Sequence, residues 1–337
     1  MKKIFIRSPY FIEINESGQT GSKVELYIWN KEDIEPTTPT YTLSKVIPSA
    51  NITKNSYNIS NYCKEYIEQI KPLHSVSVQE EDVFNWCFCK VKRYKLVGST
   101  YTLLNTETFV CLNGYTNYSD GYNKYNSDDV VLLYNQDIKM YLRDYNTNYV
   151  NCFFEAGDYD IDNGTTVTPF TVTDASMYKI PINSNLTQIN QDGVGTVKEI
   201  ISETLCEPKY TPIICTYINR YGGWQYLTFF KANMQSIETN SKQFQLLPND
   251  INYNIYKGQT FSFNQQGKQK ISCNTGWVDE NYFELMQDLL FSEVVLLNNK
   301  PVIVKSQSAD YKTHLKDKNI NYTIDFEYNY GLINDVI

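Results

Sequence analysis

Apolar and polar side chains alternate with a period of two residues over long parts of this sequence, and this feature constrains the fold more than any other. Val24, Leu26 and Ile28 occupy alternate positions, and the same spacing recurs at residues 4–6 and 12–14. Because successive side chains of a strand point to opposite faces, the pattern predicts strands of half-buried sheets. Turn-forming residues separate these segments at short intervals, as in sandwiches and barrels. Further strands are predicted over residues 84–94, 101–104, 109–112, 130–134, 213–218, 226–230, 262–273 and 322–328.

Two segments instead have the apolar spacing of a helix. The first follows Ser60, a favourable N-cap, carries apolar and aromatic residues on one face between positions 62 and 70, and ends before Pro72. The second runs over about residues 279–291. It leads into a predicted hairpin whose turn is Asn298-Asn299, because Asn tolerates the positive φ of such turns.

The chain of 337 residues is long enough for two domains of the usual size, about 100 to 200 residues each. The pattern predicts an all-β dominated fold with two or more β-sandwich or barrel-like domains and a few short helices. Residues 1–205 are predicted to form an N-terminal β domain with an acidic, loop-rich insertion at about 113–205. Residues 206–337 are predicted to form a C-terminal β domain with one helix at about 279–291. We interpret residues 190–208 as the linker.

Cysteine usage and hydropathy indicate a soluble chain that is made in the cytoplasm. The eight Cys are scattered along the sequence, and no run of 18 or more apolar residues is present. The first 15 residues alternate instead of forming the apolar core of a signal peptide. We therefore expect reduced thiols packed in the core, no membrane span and a soluble chain in the cytoplasm.

Acidic residues are concentrated in the middle of the chain. Residues 113–192 carry 11 acidic and 4 basic side chains, whereas residues 208–337 carry 12 of each. An acidic surface repels phosphate, which argues against tight nucleic-acid binding but suits a wall along which DNA slides. The hypothesis is that this segment faces such a channel; acidic loops that aid solubility are the alternative. The candidate channel-facing residues are Asp120, Asp128, Asp129, Asp158, Asp160 and Asp162.

The sequence contains no residue pattern typical of catalysis by His or Cys. His74 and His314 are the only histidines, so a His general base or a multi-His metal site has little support. Cys87 and Cys89 are one residue apart, which points both thiols to the same face of a strand. Structural zinc sites use a wider spacing and a second pair, so we interpret both thiols as core residues.

Residues 158–164 resemble the start of a calcium-binding loop, because three alternating Asp precede Gly164. The match fails at the sixth position, which is Asn163, and at the twelfth, which is Pro169 where a bidentate Glu is needed. We interpret the segment as a solvated acidic turn. Phosphate-binding glycine loops, nucleophile elbows and zinc-protease helices are also missing from the sequence. The sequence therefore predicts no enzyme activity, no catalytic residue, no metal and no cofactor.

The most distinctive segment lies at residues 217–226. Gly222 and Gly223 follow each other in a strand-rich context, which allows a tight turn with positive φ. Tyr221 and Trp224 flank Arg220, whose guanidinium can stack on aromatic rings. We interpret these five residues as a structural turn at a core or at a subunit interface; the alternative is an aromatic platform that binds sugar.

Three parts of the chain carry a family resemblance. They are Ile6-Arg-Ser-Pro-Tyr10 with Val24-Glu-Leu-Tyr-Ile-Trp29; Tyr57-Asn-Ile-Ser-Asn-Tyr62; and Ile218-Asn-Arg-Tyr-Gly-Gly-Trp224 with the C-terminal helix, hairpin and strand. In these parts the sequence resembles virion structural proteins of crAss-like bacteriophages, of the kind that form tail and neck rings. The resemblance does not extend to about residues 113–207.

The resemblance implies a subunit of a multi-copy ring in the tail or neck of a tailed bacteriophage, made in the host cytoplasm and located in the virion. It further implies partners that are other copies of the chain and other tail or neck proteins, with DNA only as passing cargo in the ejection channel. Its motifs are packing motifs, so it leaves the particular ring and the copy number open. The alternative function is a tail-tip or fibre module whose aromatic residues near Trp224 bind a host surface polysaccharide.

Overall fold

The computed structural model describes residues 1–48, 53–68, 77–81, 85–145, 148–205, 209–247, 251–307 and 319–333. Strands make up 53% of the structure and helices 8%, which confirms the predicted all-β class with a few short helices. The strands of the first two thirds of the chain are β1 (Lys2–Phe5), β2 (Phe11–Ile14), β3 (Gly21–Trp29), β4 (Tyr41–Val46), β5 (Asn55–Asn58), β6 (Gln79–Glu80), β7 (Trp86–Val97), β8 (Thr100–Leu112), β9 (Val130–Leu132), β10 (Met140–Leu142), β11 (Tyr149–Phe154), β12 (Gly157–Asp162), β13 (Val167–Val172), β14 (Ser176–Pro181), β15 (Leu186–Gln191) and β16 (Gly195–Thr204). The remaining strands are β17 (Ile213–Ile218), β18 (Trp224–Phe229), β19 (Met234–Gln245), β20 (Thr260–Asn274), β21 (Val278–Asp279), β22 (Val295–Leu297), β23 (Lys300–Val304), β24 (Asn319–Ile320) and β25 (Thr323–Tyr328), and the helices are α1 (Ser60–Lys64) and α2 (Phe283–Leu290).

The chain forms two compact units. The first contains Met1–Leu205 and Ile218–Tyr226, and the second contains Cys206–Tyr217 and Leu227–Ile337. The predicted division at residue 205 assigned the segment Ile218–Tyr226 to the C-terminal domain, and the structure instead places it in the first unit. The sequence does not indicate this assignment, because it depends on tertiary contacts. The segment contains the turn of the hairpin that joins β17 and β18.

The first unit is built around a five-stranded sheet in the order β1-β8-β7-β3-β4, in which β1 runs parallel to β8. Its main core lies on one face, where β3, β7 and β8 pack with the two-stranded sheet β2-β5 and with α1. Ile12, Tyr57 and Cys63 belong to this cluster and are buried. The alternating pattern of β3 thus fills a core, as its sequence predicts.

A second core in the first unit lies between β7, β8 and a four-stranded sheet in the order β6-β14-β11-β9. Trp86 meets Phe153 edge to face, with ring centroids 5.3 Å apart. Both rings are buried, and edge-to-face pairs add a specific attraction to the burial of their area. The third sheet of this unit has the order β10-β16-β15-β12-β13.

The middle of the chain is richer in strands than predicted. Residues 113–205 were expected to be loop-rich, and they contain the eight strands β9 to β16. The segment 190–208 was interpreted as a linker, yet it contains β16, which pairs with β15. Gly164, Gly193 and Gly195 have positive φ, so these residues make tight connections between strands rather than long loops.

A seven-stranded sheet has the order β18-β17-β22-β23-β25-β20-β19, and all of its residues except Ile218 and residues 224–226 belong to the second unit. Asn298 and Asn299 connect β22 to β23 with φ values of 45° and 68°, as expected for the predicted hairpin turn. Helix α2 begins at Phe283 rather than near residue 279, because a short 3-10 helix occupies Glu280–Tyr282.

Helix α1 is shorter than predicted within the described residues. It covers Ser60–Lys64, and residues 69–76, which include Ile70, Pro72 and His74, lie outside the described part. Ser60 is not its N-cap. The Ser60 Oγ accepts a hydrogen bond from the Tyr10 backbone N at 2.9 Å and donates to the Ser8 carbonyl at 2.8 Å, so the hydroxyl ties the helix to the segment before β2.

Candidate functional site

The turn at residues 219–224 is organised by the side chain of Asn219. Its Oδ1 accepts from the backbone N of Tyr221 at 3.0 Å and of Gly223 at 3.1 Å, and its Nδ2 donates to the Leu133 carbonyl at 2.8 Å. The Trp224 backbone N donates to Asn151 Oδ1 at 2.7 Å. Side-chain amides therefore satisfy the backbone of the turn, which is how irregular segments are stabilised away from water.

Both glycines of this turn lie against backbone or core atoms of the first unit. Gly222 has a φ of 82°, and a Cβ added there would lie 2.8 Å from the Asn113 backbone N. A Cβ added to Gly223 would lie 2.8 Å from the Leu133 Cβ. The two positions thus need Gly for different reasons. At Gly222 a side chain would meet both an unfavourable positive φ and nearby backbone atoms, whereas at Gly223 it would meet only nearby atoms.

The aromatic residues of the turn do not form an exposed platform. Trp224 is only 3% exposed, and Tyr226 is also buried. Arg220 stacks on Tyr221 as the sequence suggests, with the guanidinium carbon 4.9 Å from the ring centroid and Nη2 donating to the Tyr221 hydroxyl at 2.8 Å. Gly222, Gly223 and Trp224 are buried in the first unit, and Arg220 and Tyr221 lie half-buried beside them, so the Trp224 ring offers no exposed surface for a sugar.

Five of the six candidate acidic residues are associated with the sheet that contains β12, β15 and β16. Asp158, Asp160 and Asp162 alternate along β12 with the buried Tyr159 and Ile161, so they share the outer face of that strand. The segment that resembled a calcium loop is therefore a strand and a hairpin turn, in which Gly164 N donates to Asp162 Oδ1 at 2.7 Å.

Asp128 and Asp129 are exposed and approach the same sheet. Asp128 lies 3.9 Å from the Lys198 ammonium, and Asp129 accepts from the Gln191 amide at 3.5 Å. Asp120 has different surroundings, because it closes a capping box with Asn117 at a short 3-10 helix, Tyr118–Asp120. Asp120 therefore has different contacts from those of the other five candidate acidic residues.

Seven cysteines lie in the described part of the chain, and all seven are buried and free of disulfides there. Cys87 and Cys111 are directly opposed on β7 and β8, and Cys63 on α1 belongs to the same core cluster. Among the described residues, no group of three or more His, Cys, Asp or Glu side chains is arranged to hold a metal ion. Burial raises the pKa of the Cys273 thiol to about 12, so that thiol stays protonated at neutral pH.

A long hairpin of the second unit is exposed along much of its length, and we call it the arm: β19, β20 and the described residues between them. Residues 270–274 of β20 pair with β25 inside the sheet, whereas residues 260–269 pair with β19 alone among the described strands. The matching part of β19, residues 237–245, rises about 3.3 Å per residue and so extends about 30 Å beyond that pairing. Every residue of β19 is exposed.

The end of the arm is rich in exposed apolar side chains. Phe244 stacks on its cross-strand partner Phe261, with centroids 5.6 Å apart, and the Leu246 backbone N donates to the Gln259 carbonyl at 2.8 Å to close the loop. Beyond this point Ile255 is 70% and Tyr256 93% exposed. Other exposed apolar side chains of the arm are Met234, Ile237, Leu246, Leu247, Ile251, Tyr253 and Phe263. Large exposed apolar surfaces are unusual on monomers and are typical of surfaces through which proteins interact.

Sequence reasoning missed the arm as a functional feature. The available signal was the apolar run around Leu246, Leu247, Ile251 and Ile255, which sits between two strands where a polar turn is the normal choice. Only the structure shows that this run lies at the end of a hairpin and is exposed.

A groove on the first unit is lined by residues from two distant parts of the sequence. Its volume is about 600 Å³, and Phe11, Tyr118 and Tyr122 contribute exposed aromatic surface to it. Asn123 holds the two segments together, since its Nδ2 donates to the Phe5 carbonyl at 2.8 Å and to the Ser8 carbonyl at 3.3 Å. The buried Asn123 Oδ1 has no hydrogen-bond partner in the described structure.

No protein-family profile, no curated protein and no solved structure matches this chain. No helix in the described ranges is both long and apolar enough to cross a membrane.

Proposed function

We propose that this chain is a non-catalytic structural subunit of a multi-copy ring in the tail or neck of a tailed bacteriophage, where it forms part of the DNA ejection channel. The resemblance of residues 6–10, 24–29, 57–62 and 218–224, and of the C-terminal helix, hairpin and strand, to virion proteins of crAss-like phages supports the phage context. The arm supports the multi-copy assembly, and it is the observation on which the proposal depends most.

The argument from the arm is energetic. An isolated two-stranded hairpin is marginally stable at best in water, and the arm continues for nine residues, 237–245, beyond the last pairing of β20 with β25. Leu332 contacts it near Gly267, where the Leu332 N donates to the Gly267 carbonyl at 2.8 Å, but this contact lies near the base. The exposed edge of β19 and the apolar tip are buried if a neighbouring subunit covers them.

The acidic face of the first unit supports a channel role. Asp158, Asp160 and Asp162 lie along one side of β12, and Asp128 and Asp129 lie next to the same sheet. A channel wall that carried basic side chains would bind DNA by releasing its counterions, and an acidic wall avoids that. We propose that these five side chains face the DNA, with no specific contact to any base, and that Asp120 belongs to a different surface.

The polysaccharide-binding alternative loses its proposed site, because Trp224 and Tyr226 are buried in the first unit. An assembly role needs no metal, cofactor or catalytic residue, and the five residues of the turn serve it by fixing the shape of the first unit.

The test is the mass distribution of the purified chain over a wide concentration range, measured by mass photometry and sedimentation. We expect a closed oligomer of defined size that appears with increasing concentration. Ile255→Ser combined with Tyr256→Ser should weaken this association about tenfold or more, since loss of buried anchor side chains is worth at least that much.

Ile34→Ser is the matched control, because Ile34 is also a large apolar side chain and is 92% exposed, but it lies in the first unit. Its assembly should equal that of the unmodified chain. A chain that stays monomeric at every concentration, or an oligomer that is equally sensitive to both changes, would contradict the proposal.

A further inference from the structure

The end of the arm presents three neighbouring side chains of different chemistry. Ile255, Tyr256 and Lys257 form a short 3-10 helix, which Asn254 caps by accepting from the Tyr256 backbone N at 2.9 Å. All three side chains are exposed. The tip therefore offers an aliphatic group, an aromatic ring with a hydroxyl donor, and a cation, held together on a fixed turn.

The groove on the first unit offers the complementary groups. Phe11, Tyr118 and Tyr122 provide apolar and aromatic surface. Asp120 is exposed beside the groove, between the lining residues Tyr118 and Gly121, and its carboxylate accepts from the Asn117 backbone N at 3.2 Å. A partner that brings apolar and aromatic side chains and one cation is complementary to these groups.

From this correspondence we propose that the arm tip of one copy of the chain binds the aromatic groove on the first unit of a second copy. Ile255 and Tyr256 pack among Phe11, Tyr118 and Tyr122, and Lys257 pairs with Asp120. The inference rests on the proposed function in one respect, namely that copies of the chain assemble.

The charge distribution favours another copy of this chain as the occupant. Residues 234–274 carry four Lys and two acidic residues, whereas residues 1–207 carry 26 acidic and 18 basic side chains. Electrostatic attraction therefore draws the arm toward the first unit of a neighbouring copy before the two surfaces touch. Cation–π attraction between Lys257 and the tyrosines of the groove adds to this.

The geometry of the pairing has a consequence for assembly. Tip and groove are different surfaces, so the contact is heterologous: each copy donates one arm and receives one. Repetition of a heterologous contact produces either a ring or an open filament, depending on the rotation between neighbours. A closed ring follows when the rotation completes a full turn.

Complementation between two defective variants tests this pairing. The tip variant carries Tyr256→Ser and Lys257→Glu and keeps its groove. The groove variant carries Tyr118→Ser and Asp120→Asn and keeps its tip, and the Asn side-chain oxygen can still accept from the Asn117 backbone N. Tyr256 is 93% exposed and Tyr118 is fully exposed, so both variants should fold, which circular dichroism checks. Each variant alone should lose assembly by about tenfold or more in midpoint concentration. A mixture of the two should form dimers and nothing larger, because one intact tip and one intact groove remain per pair.

The outcomes separate the inference from the function on which it rests. If the unmodified chain assembles and both variants assemble equally well, the tip and groove pairing is wrong while the assembly role stands. If the unmodified chain never assembles, both are wrong. The pairing is also overturned if the mixture forms no dimer, or if the unmodified chain sediments with phosphatidylcholine and phosphatidylglycerol vesicles through Tyr256, which would make the tip a membrane anchor.

Discussion

Substitution of Gly222 tests whether the 219–224 turn fixes the shape of the first unit. A side chain at a φ of 82° costs about 1–2 kcal/mol in backbone strain. The added Cβ would also lie 2.8 Å from the Asn113 N and 2.9 Å from the Gly114 N, which are backbone atoms that cannot rotate away. Overpacking of this kind costs about 1–3 kcal/mol more. We therefore expect Gly222→Ala to lower the free energy of unfolding of the first unit by about 2–5 kcal/mol.

Two further glycines separate strain from collision. Gly18 has a φ of 71° with no atom within 4 Å of an added Cβ, so Gly18→Ala should cost only the strain, about 1–2 kcal/mol. Gly223 lacks a positive φ, but its added Cβ would lie 2.8 Å from the Leu133 Cβ, so Gly223→Ala should cost only the collision, about 1–3 kcal/mol.

Tryptophan fluorescence during denaturant unfolding is the assay. Trp29, Trp86 and Trp224 lie in the first unit, and Trp86 and Trp224 are buried, whereas Trp277 of the second unit is exposed. The fluorescence change therefore reports mainly on the first unit. A Gly222→Ala variant no less stable than Gly18→Ala would refute the reasoning, because the close approach to residues 113 and 114 would then have no energetic effect.

Four other predictions concern the thiols, an ion pair, the acidic face and the lack of activity. A thiol reagent should label at most one of the eight cysteines of the native chain, since seven are buried, and all eight after unfolding; faster labelling of several would contradict the buried core. Hydrogen bonds from Lys268 and Lys305 lower the pKa of Glu327. The ionised carboxylate therefore stabilises the fold above the unfolded pKa of 4.5, and this stabilisation is lost as pH falls through the folded pKa. Glu327→Gln should reduce the loss of stability in acid, and a variant with the same pH profile of stability as the unmodified chain would contradict the ion pair. Replacement of Asp128, Asp129 and the three Asp of β12 by Lys should slow DNA ejection without preventing ring formation, and unchanged ejection would remove these residues from the channel. The chain should not hydrolyse peptidoglycan or capsule, and turnover that disappears on changing a single carboxylate would establish an active site.

The strands with clear alternation could be predicted from the sequence. Val24, Leu26 and Ile28 lie in β3, and all three are buried, because a two-residue period fixes which face meets the core. The turn Asn298-Asn299 was also predictable, since positive φ is a local property of Asn.

Features that depend on distant residues could not be predicted. Strand β19 has no buried face, so it has no periodic signal, and it forms because it pairs with β20. Serine is a favourable N-cap residue, but the Ser60 hydroxyl instead forms hydrogen bonds with the backbone of Ser8 and Tyr10, about 50 residues earlier in the chain. The groove likewise combines Phe11 with residues 116–123, and no spacing in the sequence indicates that these meet.

The most direct test of the central claim is an electron cryo-microscopy reconstruction of the virion that contains this chain. We expect several symmetry-related copies in one ring of the tail or neck, with β12 toward the axial channel and the arm of each copy on its neighbour. A single copy per particle, or copies at the tail periphery whose arms touch no other subunit, would contradict the claim.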